Sequence, residues 1–345
     1  MAFIFHIIYA PGTVRDLSFF LESLLGWSDC SFRLVANGCQ QHERQHLRQL
    51  CAQRPRLEFV ELPTGQLMEH GLALDYLQTL NREEFFCFMD SDIYATGEFL
   101  SEFTPHLRRH VGIFSCSPIW CRAEERILPA TERYMAGRYN QSATGLCLGG
   151  TFFAIYDNRT LTYFRQSTGI GFERYRWQDI PVAYQDLLRT MGLQKEWYDT
   201  GKVLNLGLLR QGQSLAFVDS RRLYHLGGLS ELAVQSLSPG QPRHLRGSAP
   251  NSPEPLSRKL RRKLKPLLAA HFPALYERLV AARLHPSPMA KRRFVYSSYF
   301  AYLLTALSKN TALPVLPVRG EPDIEQRIAA ATAQIIELHR RREKV

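Results

Sequence analysis

The stretch "EEFFCFMDSD" sets two carboxylates, Asp90 and Asp92, one residue apart where a run of apolar and aromatic residues stops. Carboxylate oxygens suit hard divalent cations such as Mg2+ and Mn2+, which keep open positions for the oxygens of a substrate phosphate. On that reading the pair, with Ser91 between, holds a cation that neutralises a diphosphate. A plainer reading competes with it, because Asp and Ser are also good helix N-caps. A carboxylate plus phosphates makes a sparse site, so another protein ligand is expected. His225 in "FVDSRRLYHLGG" is the candidate: it follows a short apolar stretch and precedes Gly227-Gly228, where the backbone can pass close to a ligand. Alone, such a histidine is an ordinary packed or surface residue; its weight comes from the company it keeps.

These residues need elements to position them. "FIFHIIYA" (3–10), "SFRLVANGC" (31–39), "LEFVELP" (57–63) and "FFCFMD" (85–90) read as strands. "VRDLSFFLESLLGW" (14–27), "ERQHLRQLCAQ" (43–53) and "LMEHGLALDYLQTL" (67–80) carry helical spacing between them, and "HVGIFSCSPIW" (110–120) and "CLGGTFFAIYD" (147–157) look strand-like again. Alternating strands and helices predict an α/β layer with a mostly parallel sheet, buried on both faces. Ligands of such sheets bind beyond the carboxyl ends of the strands, which is where Asp90, Ser91 and Asp92 fall.

In this order the features resemble the GT-A fold nucleotide-sugar glycosyltransferases, family 2 in particular. "IIYAPG" is similar to the opening strand and turn, "RLVANGC" to the second strand, "GLALDYLQ" to the helix before the metal strand, and "FMDSD" to the Asp-x-Asp motif. "GLCLGGTFFAIY" resembles the acceptor-side Gly-Gly strand and "YHLGG" the closing His-x-Gly-Gly segment, so the likeness runs over residues 3–230. It implies a Rossmann-like sheet and a Mn2+ or Mg2+ ion held by Asp92 and His225. Asp90 would reach the ribose or a metal-bound water, and Tyr9, Pro11 and Asn37 would flank the nucleobase. It further implies a nucleotide-sugar donor, a glycan, lipid-linked or protein acceptor, and a place in polysaccharide biosynthesis. The acidic residue often found before that Asn is Ala36 here, which leaves the base contacts and the nucleotide open.

An inverting transfer needs a carboxylate to take the acceptor proton. Asp199, before the apolar-periodic "VLNLGLL", stands first; Asp179 in "RYRWQDIP" stands second; Asp186 reads as a residue of a solvated helix face. A helix cap is the plain alternative for Asp199. The Glu-Asp pair of the family is absent, so a retaining course stays open. Arg126, Arg133, Arg138 and Tyr139 belong to a stretch that either holds phosphate and sugar or is simply solvated surface.

Charge divides the chain. Residues 1–250 hold 25 basic and 25 acidic residues, whereas 251–345 hold 18 and 7, the whole excess of +11. The expected organisation is a catalytic domain over 1–235, a linker over 236–255 with five prolines, and a basic helical extension over 256–345. "LSRKLRRKLKPLLAAHF" (256–272) alternates leucines with basic residues, which suits either peripheral contact with an anionic membrane or the outside of a helical cap. No recognition motif accompanies the charge, which argues against nucleic acid. No apolar run approaches the ~20 residues that span a bilayer. "MAFIFHIIYAPG" reads as a strand rather than a signal peptide, and seven scattered cysteines favour reduced thiols in the cytoplasm, including the inner face of its membrane. Two other readings remain. A nucleotidyltransferase on sugar phosphates would need a Gly-rich, basic phosphate loop that "YAPGTVRD" barely supplies; a non-catalytic membrane-associated module would keep the fold without turnover.

Overall fold

A computed structural model describes residues 3–237 and 287–342. The proline-rich stretch past residue 237 and the basic run 256–272 lie outside the described residues.

The strands in chain order are β1 (Ile4–Tyr9), β2 (Ser31–Ala36), β3 (Leu57–Glu61), β4 (Phe85–Asp90), β5 (Ile93–Ala95), β6 (Gly112–Ser115), the two-residue β7 (Ile127–Leu128), β8 (Tyr134–Met135) and β9 (Gln141–Ser142), β10 (Phe153–Asp157), β11 (Tyr175–Arg176), β12 (Trp197–Tyr198), β13 (Leu215–Phe217) and β14 (Leu223–His225). The helices are α1 (Val14–Leu17), α2 (Phe20–Gly26), α3 (Gln41–Ala52), α4 (His70–Leu80), α5 (Leu100–Phe103), α6 (Asn158–Thr168), α7 (Val182–Thr190), α8 (Lys202–Arg210) and α9 (Leu229–Leu237). Two longer ones, α10 (Pro288–Ser308) and α11 (Pro322–Arg342), close the described chain.

The central sheet has the order β13-β6-β10-β4-β1-β2-β3. All neighbours are parallel except β10, which runs antiparallel to both β4 and β6. Alternation along each strand sends side chains into two cores. Phe5, Ile7, Tyr9, Cys87 and Met89 enter one. Phe86, Phe88, Ala154 and Tyr156 enter the other. Helices cover both faces: Phe20, Leu47, Phe300 and Ile328 on the first side, Leu74, Leu161, Phe164 and Leu204 on the second. Each fully buried Phe or Leu contributes about 1.5–3 kcal/mol, and that burial makes continuous apolar strands such as "FFCFM" favourable here. The mixed α/β architecture with helices on both faces and a helical C-terminal part is the one expected.

The elements differ in detail where local chemistry intervenes. The helix expected from residue 67 starts at His70, because Glu69 caps it by accepting from the Gly71 and Leu72 N–H groups at 3.1 and 3.4 Å. The helix expected over 14–27 splits in two, and the bonds at the break reach only three residues back, from Leu21 to Ser18 and from Glu22 to Phe19. The strand expected from 147 begins only at Phe153, because Gly149 at φ +62° turns the chain first. β6 stops at Cys116, a non-glycine residue at φ +66°.

β10 matters most for the site. Because it is antiparallel, the chain enters it from the edge where β4 ends, and Asp90 N–H donates to the Phe152 carbonyl at 2.7 Å. Gly149–Phe152 is thereby laid beside Asp90. α10 and α11 pack into the same core as α2 and β5, through Tyr296, Phe300, Leu303, Ile324, Ile328 and Ile335. The apolar run 293–307 lies within α10, and among the described residues no helix is long and apolar enough to cross a membrane.

Candidate functional site

Asp90, Asp92 and His225 come together beyond the end of β4, with one candidate ligand atom of each lying within 4.8 Å of the others. After Asp92 the chain turns into β5, which leaves the central sheet and pairs with β14, registering His225 opposite Ile93. The Leu226 N–H closes the pairing on the Asp92 carbonyl at 3.1 Å, and the His225 carbonyl accepts from Ile119 N–H at 3.0 Å. His225 Nε2 stands 3.1 Å from Asp92 Oδ1 and 3.4 Å from Asp90 Oδ2. Its other nitrogen, Nδ1, donates to the Cys116 carbonyl at 2.8 Å. That bond fixes the tautomer in which Nε2 offers a lone pair. Nε2 makes no hydrogen bond itself, although it is buried. The left-handed turn at Cys116 aims this carbonyl, a case of backbone strain placed at a working position.

A lone pair facing two carboxylates is unfavourable unless a positive charge lies among them. Two oxygen donors and one imidazole nitrogen fit a divalent cation of the Mg2+ or Mn2+ kind. Without a cation, a proton on Nε2 supplies that charge. Burial pushes the Asp90 pKa up to about 7, against the pull of His225 and with the help of Asp92. Burial would raise Asp92 as well, but the charge of His225 beside it holds it below the ordinary carboxylate value. For His225, burial is outweighed by Asp92 and then Asp90, and the pKa rises. Asp92 is buried, whereas the Asp90 side chain keeps 28% of its surface open, so the cluster is entered from the Asp90 side. Ser91 is buried with no partner for its Oγ.

Across Gly149–Phe152 lies a second polar group. The Phe152 ring rests on His225, centroids 4.7 Å apart. A Cβ on Gly137 would stand 3.7 Å from that ring and 3.3 Å from Asp199 Oδ2. Asp199 is half-buried, accepting from Gly137 N–H at 2.8 Å and Thr200 N–H at 3.0 Å. It is not the cap of α8; that is Gly201 at φ +73°. Lys202, fully buried, ties the Gly137 loop to the Gly-Gly turn by donating to the Gly137, Tyr139 and Gly149 carbonyls, and burial lowers its pKa to about 7. Asp179 sits exposed on the single turn Trp177–Asp179 and shares no bond with the cluster among the described residues. Asp186 is exposed and paired with Arg189 at 2.6 Å, a solvated helix face as expected.

The three base-side residues differ in what they leave open. Tyr9 is 1% exposed and lies in the core with Phe5 and Ile7, so it offers no face to a nucleobase. The Asn37 amide is consumed at both ends by Met68, donating to its carbonyl at 2.9 Å and accepting from its N–H at 2.7 Å. Pro11 alone of the three stays partly open at the sheet edge. In the middle segment Arg133 pairs with Glu196 on the surface and Arg126 with Asp219, while Tyr139 is buried. His70 went unnoticed in the sequence. It opens α4 near Asp199 and Thr151 with a buried, unpartnered Nε2, and burial lowers its pKa against the pull of Glu69 and Asp199. The only sequence signal was its place in "MEHG", just inside a helix start.

No protein-family model matches the chain, and no curated protein matches it. Solved structures do. The mannosyltransferase PcManGT from Pyrobaculum calidifontis, in complex with GDP-Man and Mn2+, is similar at 10% identity and a TM-score of 0.42, over 86% of this chain and 84% of that one. Residues 1–349 of TarS from S. aureus are similar at 14% identity and a TM-score of 0.39, over 97% and 92%. The apo form of the glycosyltransferase GlyE from Streptococcus pneumoniae TIGR4 is similar at 14% identity and a TM-score of 0.36, over 62% of this chain. This chain spans 45% of the GlyE chain.

Proposed function

We propose that this protein is a metal-dependent glycosyltransferase that moves a sugar from a nucleotide-sugar donor to a hydroxyl of a glycan, lipid-linked or protein acceptor. The observation that carries the reading is the convergence of Asp90, Asp92 and His225 beyond a parallel strand, with His225 Nε2 left unbonded. When bound there, Mn2+ or Mg2+ supplies Lewis-acid stabilisation of the departing diphosphate. The chain's own residues prepare that step. The Cys116 carbonyl holds the His225 ring, and the Leu229 N–H at the start of α9 reaches Asp92 Oδ2 at 3.5 Å, so the two inner donors keep their direction.

On the far side of Gly149–Phe152, Asp199 is the base. It takes the proton of the acceptor hydroxyl as the new anomeric C–O bond forms and the bond to the diphosphate breaks, with inversion at the sugar. The Gly137 N–H and the Lys202 clamp support this role by holding one face of the carboxylate and the loop it faces. Burial first, and then the Asp199 carboxylate, keep the neighbouring Tyr134 hydroxyl protonated. Asp179, exposed, is the weaker candidate. The test is release of nucleoside diphosphate from a panel of nucleotide sugars with and without Mn2+. The reading expects release that depends on the cation. Neither turnover nor cation-dependent nucleotide binding across the panel would overturn it.

A further inference from the structure

The segment that carries His225 is held from outside by the C-terminal helices. Ser297 on α10, buried, donates its hydroxyl to the Gly227 carbonyl at 2.6 Å, and Trp120 Nε1 donates to the same oxygen at 3.3 Å. Gly228 lies so close to α10 that a Cβ on it would stand 2.7 Å from Ser297 Oγ. Arg292, 5% exposed, then fixes Trp120: its Nε donates to the Trp120 carbonyl at 2.8 Å. Its two other nitrogens bind Glu321 at 3.0 and 3.1 Å and Glu125. The other strand of the pair, β5, is held by α11, where Gln334 accepts from the Tyr94 hydroxyl at 2.8 Å. Tyr94 stacks on Tyr224, the neighbour of His225, at 5.6 Å and 16°. Both strands that present the inner donors, β5 after Asp92 and β14 ending at His225, are therefore tied to one helical pair.

We propose that α10 and α11 are a brace for the metal centre, with Ser297 as a positioning residue that sets His225 through the Gly227 carbonyl. This rests on the metal reading of the cluster. A packing role alone would cost stability and leave cation affinity as it is; a positioning role moves the affinity.

The test is Mn2+ binding to the full chain, read from the spin-resonance signal of free Mn2+ with no nucleotide present. The wild type binds, Ser297→Ala raises the Kd about tenfold, and Trp120→Phe, which removes the second donor to the same carbonyl, raises it as well. Tyr299→Phe removes the 3.1 Å hydroxyl contact between α10 and Thr332 of α11, which does not involve the Gly227 carbonyl, and lowers the melting temperature with the Kd unchanged. If Ser297→Ala and Trp120→Phe both bind as tightly as the wild type, the brace is refuted and the metal reading stands. If the wild type itself binds no Mn2+, the metal reading falls first.

Discussion

At the scale of single residues, the proposed roles of the site residues can be separated by substitution. Asp92→Asn keeps the shape and removes a buried ligand charge, so Mn2+ affinity and turnover should fall by about 100-fold or more, measured by titration and by diphosphate release. Asp199→Asn should instead lower kcat and leave cation-dependent nucleotide binding near the wild-type value; equal loss of both would remove it as the base. The titrating groups give a pH signature. The Asp90 pKa, raised to about 7 by burial, means that the folded protein binds a proton the unfolded chain has released. Without added cation, the contribution of Asp90 to stability therefore declines as pH rises between the ordinary carboxylate range and about 7. The His225 contribution has the same sign, present below its ordinary value and lost as pH rises through its elevated one. His6, His70 and Lys202, whose pKa values burial lowers, contribute with the opposite sign. The test is therefore a difference: relative to Asp90→Asn, the wild type should lose melting temperature between pH 5 and pH 8. Mn2+ should restore it at pH 8 and do little at pH 5, where protons compete for the ligands.

At the scale of elements, the site is made by interruptions of regular structure. Gly149 turns the chain into β10 at φ +62°, and a Cβ there would meet the Asn205 amide at 2.4 Å and the Phe114 ring at 2.6 Å. Gly149→Ala should cost roughly 1–3 kcal/mol in urea unfolding, and an unchanged midpoint would show that the turn relaxes freely. Sequence periodicity reads the sheet well because burial on both faces leaves long apolar runs. It also brought out "FMDSD" and "YHLGG", because charge and paired glycines stand out at strand ends. The burial of Tyr9 was readable in the register, since Phe5, Ile7 and Tyr9 alternate toward one core. Asn37 gave no such warning, since its partner Met68 is 31 residues away. The left-handed Cys116 leaves no mark in composition at all.

At the scale of the whole molecule, the C-terminal helices belong to the core that supports β5. Arg292 joins Glu125 of the front to Glu321 before α11 with only 5% of its surface exposed. Arg292→Met removes the charge that Glu125 and Glu321 share, while Glu321 keeps the Arg122 guanidinium at 3.1 Å and Glu125 the Arg122 N–H at 2.9 Å, so the loss should be about 1–3 kcal/mol. A two-state urea melt checks it, and a loss below the error of extrapolation would mean that water reaches these acids easily.

The antiparallel β14–β5 pairing has a consequence for synthesis. Asp92 leaves the ribosome about 130 residues before His225. At roughly 5–20 residues per second, that is a wait on the order of ten seconds. A nascent chain released early carries Asp90 and Asp92 without His225. On the proposed metal reading, a copy terminated before β14 lacks the His225 donor and should bind the cation more weakly than the full chain.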